Sequence, residues 1–208
     1  RDLVRSRGLG DVYKRQSFTR SPLILIISDL NHFKEINDTL GHHIGDLVLQ
    51  QAAERLYKTV RKADTVARLG GDEFSILLPD TNLEQAHMIA QQIGGVFARP
   101  FFVEGHSLNV GISIGMVESP THGDDVNILM QRADIAMYHA KRQGRRCFYW
   151  FEEQMGQEMR FRNELEAGIR EGIPCGEFVP FYEQQIDLQT GKLTGFEMLA
   201  RWNSAKFG

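Results

Sequence analysis

An α+β sandwich with the ferredoxin-like order β-α-β-β-α-β and a mainly antiparallel central sheet is the fold class the sequence predicts. Three observations predict it. "PLILIISDL" is a continuous β-rich apolar run ending in a carboxylate, which reads as a buried strand up to Asp29. "TVARL" and "EFSILLP" flank the Gly70-Gly71-Asp72 turn as a hairpin. Amphipathic helical periods follow the first strand and the hairpin, so the elements alternate as that fold requires.

Each element has its own warrant. "NHFKEINDTLGHHIG" is turn-rich and carries a short helix, with His42 and His43 as surface neighbours in a loop. From Asp46, the apolar residues Leu47, Leu49, Ala52, Ala53, Leu56 and Val60 keep a helical period to about Arg61. Thr81 to Glu84, "TNLE", is a capping-box pattern opening a helix to about Phe97. "PFFVEGHSLNVGISIGMVE" reads as a second hairpin turning near Gly105. "GDDVNILMQRADIAMYHAKRQG" is an amphipathic helix stopping at Gly144, with Met130 and Met137 in the core, and "CFYWF" is a short strand. Residues 152–174 read as a charged helical linker, and 175–208 as a hairpin with a Thr190-Gly191 turn that opens a second, incomplete domain.

Composition narrows the function classes. The 208 residues are 42% hydrophobic and 25% charged with a formal net charge of −3, which fits a globular domain without a polyanion-binding surface. No nucleic-acid partner is expected, and "GRRCFYW" reads as a helix end entering a strand. Two cysteines, Cys147 and Cys175, build no disulfide framework, and a reducing, cytoplasmic location fits best. The longest apolar run, Leu23 to Ile27, is far short of the ~18 residues of a membrane span, so no membrane contact is expected in this segment. Residues 1–16, "RDLVRSRGLGDVYKRQ", are basic and aperiodic, and read as foreign to the fold or disordered.

Topology gives the hairpin turn its chemical interest. A crossover from strand 23–29 to strand 65–69 makes the two parallel, which sets the "LGGD" turn at the edge where the first strand ends. Asp29 and Asp72 would then face each other there. Carboxylates brought together repel unless a cation or proton lies between them. Oxygen-only ligands suit Mg²⁺ or Mn²⁺, whereas a solvated Asp/Gly turn is the plain alternative.

"GGDEF" at 70–74, "DLNHFKEINDTLGHHIGD" at 29–46 and "ADIAMYHAKRQGRR" at 133–146 together resemble the diguanylate cyclase (GGDEF) family over residues 21–151. The resemblance implies a nucleotidyl-cyclase palm that condenses two GTP molecules into cyclic di-GMP, one GTP per domain, in a homodimer. Asp29 and Asp72 match its metal-binding carboxylates, assisted by the Leu30 backbone carbonyl. Glu73 matches the acid that serves the metal or the nucleophile, so Asp72 and Glu73 are the expected catalytic acids. Gly70, Gly71 and Phe74 complete the signature loop. Asn37 and Asp46 occupy guanine-recognition positions, where a carboxylate can accept from guanine N1–H and the exocyclic amine. The amides near His32 and Phe33, with Lys141 and Arg145, occupy phosphate-gripping positions. Arg61 and Asp64, in "RKAD", match an inhibitory site for product, with a surface ion pair as the alternative.

Three features depart from the family pattern. Asn31 stands where an acid is usual. The "DxLTGLxNR" helix that leads the family does not precede Ser21, which implies a weakened nucleotide pocket. The third departure is at the other end. "FYEQQIDLQTG" and "GFEMLARW" resemble the opening of an EAL phosphodiesterase domain, with Glu197 at its first metal-ligand position, Met198 for the usual alanine, and Glu183-Gln184 where Gln-Pro is common. The readings that follow are a cyclase domain, a GTP-binding module that regulates an attached phosphodiesterase, and a non-binding dimerisation scaffold.

Overall fold

The computed structural model describes residues 22–144 and 148–208. Residues 1–16, Arg145 and Cys147 therefore lie outside the described residues. The chain divides into two compact units between Gly156 and Gln157.

The first unit is built on a five-stranded sheet. β1 (Leu23–Leu30) is buried at every position and forms its centre. It is flanked by β3 (Glu73–Pro79) and β6 (Ile112–Ser119), both antiparallel to it. β2 (Thr65–Gly70) pairs with β3 at one edge, and β7 (Phe148–Trp150) pairs in parallel with β6 at the other. β1 and β2 both run antiparallel to β3 and hence share a direction, as the crossover argument requires. The order β2-β3-β1-β6 is that of the expected fold, with β7 added.

Continuous apolar character in β1 has a direct cause: alternate residues serve opposite faces. Ile24 and Ile26 enter a core with α2 (His42–Thr59) and α3 (Leu83–Phe97). Leu23, Leu25 and Ile27 meet α4 (Val126–Gln143) on the other face, together with Phe151 and Met155. There α4 lies backbone to backbone on β6. A Cβ built on Gly115 would stand 1.9 Å from the Ala133 carbonyl oxygen and 2.3 Å from the Met137 nitrogen. Only glycine permits that approach.

The structure corrects several local expectations. The short helix is α1 (Phe33–Leu40), and Gly41, at φ 86°, separates it from α2. Because the chain resumes helix directly after that glycine, α2 starts at His42 rather than Asp46. His42 and His43 thus occupy a first helical turn, with His43 Nε2 3.1 Å from Glu104 Oε1. The capping box belongs to Asn82 and Gln85, not to Thr81 and Glu84. Asn82 Oδ1 accepts from the Gln85 amide at 2.8 Å, and the Asn82 amide donates to Gln85 Oε1 at 3.3 Å. Thr81 is fully buried instead. The second hairpin is only β4 (Phe101–Val103) with β5 (His106–Leu108), turning at Gly105 as expected; β6 leaves it for the central sheet.

The unit boundary falls in the first turns of α5 (Glu153–Gly172). In the second unit, β8 (Phe178–Ile186) and β9 (Leu193–Trp202) form an antiparallel hairpin. Its turn is tied by Asp187 Oδ1, which accepts from the amides of Gln189 and Thr190 at 2.9 and 2.7 Å. Trp202 stacks on Phe178 and donates from Nε1 to Glu177 at 2.8 Å.

Candidate active site at the carboxylate edge

The end of β1 and the GGDEF turn form one structure. Asp29 lies opposite Glu73 in the β1–β3 register, and the Leu30 amide donates to the Asp72 carbonyl at 3.3 Å. Gly71 takes φ 50°, and Arg68 clasps its carbonyl through Nε and Nη2 at 2.9 and 2.6 Å. Gly70 pairs with Glu73 across the turn. Phe74 is 1% exposed and belongs to the core on the α2–α3 face, so the last letter of the motif anchors the hairpin.

Asp29 is buried, and its Oδ1 has no hydrogen-bond partner among the described residues; Oδ2 meets Lys141 Nζ at 2.7 Å. An orphaned, buried carboxylate oxygen is costly unless a cation completes its surroundings. The donor set therefore fits a hard divalent cation bound through oxygen. No three acidic or imidazole side chains among the described residues converge into a complete metal site, so water or phosphate oxygens would have to supply the remaining ligands.

Electrostatics at this edge favour protonation. Burial pushes the Asp29 carboxyl up, Asp72 and Asp134 add to the rise, and Lys141 opposes it. Glu73 rises for the same reason, burial first, then the negative charges of Asp134, Asp29 and Asp72. Asp134 is itself raised, chiefly by partial loss of hydration, against the pull of Lys141.

The remaining expected residues fall into two groups. His32, at φ 62°, caps α1, and the amides following it open that helix, where unpaired N–H groups suit an anion. Asn37 on α1 presses against α2: its Oδ1 lies 2.0 Å from a Cβ built on Gly45, the residue before Asp46. Thus Asn37 and the exposed Asp46, the residue after Gly45, are brought to neighbouring positions of two helices. Asn31 is held on β6, its amide donating to Gly111 O at 2.9 Å and its Oδ1 accepting from Ser113 Oγ at 2.7 Å. A pocket of about 250 Å³ opens beside it, lined by Asn31, Ser113 and Lys141 with Phe97 and Ala98.

Arg61 and Asp64 are not part of this cluster. They follow the end of α2, and Arg61 reaches Pro79, the last residue of β3, at the end of the sheet opposite Glu73. Glu197 is exposed on β9, opposite Glu183.

A family model described as "Diguanylate cyclase, GGDEF domain" matches residues 7–147. The chain belongs to the GGDEF family. The match begins inside the segment 1–16 that the sequence reading set apart. MucR of Pseudomonas aeruginosa, a "bifunctional diguanylate cyclase/cyclic di-GMP phosphodiesterase", is 35% identical over 184 residues, 88% of this chain and 27% of its own length. The chain spans about a quarter of the length of the curated relatives it matches. Among solved structures, the GGDEF domain of TpbB (YfiN) from P. aeruginosa is 36% identical with TM-score 0.69, covering 74% of this chain and 90% of its own. The GGDEF domain of DgcB from Caulobacter crescentus, solved with cyclic di-GMP, is 26% identical with TM-score 0.60, covering 69% and 84%.

Three site residues escaped the sequence reading. Arg68 braces the GGDEF turn, Ser113 holds Asn31, and Asp134 adds charge to the edge. Asp134 carried a usable signal, since it stands two helical turns before Lys141 and so on the same face of α4.

Proposed function

We propose that this GGDEF domain binds GTP with a divalent cation, Mg²⁺ or Mn²⁺, and as a homodimer condenses two GTP molecules into cyclic di-GMP. The observation that carries the reading is the buried Asp29, with one orphaned oxygen, facing the GGDEF turn beside Lys141. Asp29, Asp72 and the Leu30 carbonyl would hold the cation, which when bound draws charge from the α-phosphate.

The chain's own residues supply the rest. Asp46 accepts from guanine N1–H and the exocyclic amine, and Asn37 bonds the remaining edge. The amides near His32 and Phe33, with Lys141 and Arg145, grip the terminal phosphates. Glu73, raised by burial and its acidic neighbours, suits a proton acceptor for the 3′-hydroxyl. As that oxygen bonds to the partner's α-phosphorus, the bond to pyrophosphate breaks and the proton passes to Glu73. Arg61 and Asp64 form the product-inhibition site, a reading supported by the family resemblance and by the fixed geometry of the pair. Such chemistry belongs in the cytoplasm; no described helix is long and apolar enough to cross a membrane.

A second reading has its own observation. Asn31, bonded to Ser113, adds no charge where the family usually has an acid, which favours a GTP-binding module over a strong cyclase. In that reading β8–β9, with Glu197, begins an EAL phosphodiesterase domain that the module regulates; MucR, by its name, carries both a cyclase and a phosphodiesterase activity. Incubating the chain with GTP and Mg²⁺, followed by chromatography, separates the two. Cyclic di-GMP that disappears in Asp72→Ala supports the cyclase. A GTP-dependent thermal shift that is lost in Asp46→Ala, with no product formed, supports the regulatory module.

A further inference from the structure

The turn between α2 and β2 holds a network that reaches beyond Arg61 and Asp64. The Asp64 side chain is 0% exposed, whereas that of Arg61 is 47% exposed. Asp64 Oδ2 accepts from the Arg61 amide at 2.7 Å and from Nε at 3.2 Å, and Oδ1 accepts from Nη2 at 2.9 Å. Buried in this way beneath the guanidinium, Asp64 serves Arg61 rather than an incoming ligand. Nη2 also donates to Thr81 Oγ1 at 2.5 Å and to the Pro79 carbonyl at 3.4 Å. Thr81 is fully buried, and its own hydroxyl proton goes to the Pro79 carbonyl at 2.9 Å. The hydroxyl has therefore one orientation, and its lone pair is directed at Arg61. Nε and Nη2 are committed to the protein, while Nη1 has no hydrogen bond among the described residues.

We infer that Thr81 is a positioning residue for Arg61: its buried hydroxyl locks the guanidinium fork so that the Nη1 edge is presented to a phosphodiester or guanine of a cyclic dinucleotide. This rests on the reading of Arg61 as the product site and deepens it. An arginine on an exposed turn ordinarily samples many rotamers, and the freedom lost on gripping a ligand weakens binding. Here Asp64 and Thr81 hold the side chain from two sides before any ligand arrives. Thr81 adds what Asp64 alone lacks: a fixed point on the β3–α3 connection, so that Arg61 is tied to the sheet and not only to its own turn.

The test is calorimetric titration of the whole chain with cyclic di-GMP, comparing Thr81→Val, Thr81→Ser and Arg61→Ala, each with its melting temperature. Valine keeps the shape and removes the hydroxyl; serine keeps the hydroxyl and removes the methyl. The expected result is affinity about fivefold to twentyfold weaker in Thr81→Val and within about twofold of native in Thr81→Ser. A packing role alone would give the reverse ranking, because serine leaves the larger void. Native affinity in Thr81→Val, with binding abolished in Arg61→Ala, overturns the positioning inference and leaves the product-site reading standing. Native affinity in Arg61→Ala overturns both.

Discussion

Replacing Lys141 by methionine tests the electrostatics of the carboxylate edge most directly. The change keeps an unbranched side chain but removes the ammonium that Asp29 Oδ2 contacts at 2.7 Å. Breaking a fully buried ion pair costs about 3–5 kcal/mol, and an exposed one about 0–1 kcal/mol. Here the Asp29 side chain is 7% exposed and that of Lys141 40%, so solvent screens one end of the pair. Discounting for that screening gives about 2 kcal/mol at neutral pH. The cost depends on pH with a definite sign. Burial already holds the Asp29 carboxyl above its ordinary 3.8, and Lys141 works against that rise. Without Lys141 the folded state binds the proton still more tightly. Stability present below pH 3.8 is then lost as the pH climbs through the raised folded value, and the window extends upward in the variant. Lys141→Met should unfold close to the native protein near pH 4 and diverge from it towards pH 7. Urea unfolding at several pH values measures this. A destabilisation of equal size at pH 4 and pH 7 would refute the reasoning, because a packing defect does not titrate.

Three other perturbations have defined outcomes. Asp134→Asn removes a negative charge that raises both Asp29 and Glu73, so both carboxyls should titrate lower by carbon-13 NMR; unchanged values would show that Asp134 does not act on this edge. Asn82→Ala abolishes the side-chain half of the α3 capping box and should cost about 1 kcal/mol in denaturant unfolding, and a loss below about 0.3 kcal/mol would contradict the cap at Asn82. Arg55 donates to the carbonyls of Val96, Arg99 and Pro100 at 2.8, 2.7 and 2.6 Å and lies 3.6 Å over the Phe101 ring; Arg55→Met should cost about 2–3 kcal/mol, and a loss below about 0.5 kcal/mol would contradict that account.

What could be read from the chain was what periodicity and local chemistry encode. β1 declared itself by the unbroken apolar run from Leu23 to Ile27, and the GGDEF hairpin by its glycines between apolar arms. Asp29 and Asp72 could be set at one edge because strand direction follows from connectivity. Errors arose where two local patterns compete or where a partner is remote. "TNLEQ" contains overlapping capping boxes, and Thr81 is engaged instead with Arg61, a partner twenty positions away that local pattern does not show. The start of α2 depended on a backbone angle at Gly41 that composition does not reveal. Arg68, Ser113 and Asp134 acquire their parts only once strand ends and helix faces are assembled, and each sits within a stretch whose own pattern is satisfied without it.

Gly115 gives the site its gauge. A helix resting on side chains can slide when one of them changes rotamer, but α4 rests on bare backbone, and a single methyl is larger than the gap. The height of Lys141 above Asp29 is thus set by a residue in the preceding strand that touches neither. Tolerance in this domain is accordingly uneven. Variation on the outer face of α4 leaves the ammonium where it is, while the smallest possible enlargement at position 115 moves the whole helix, and with it the charge that balances the carboxylates.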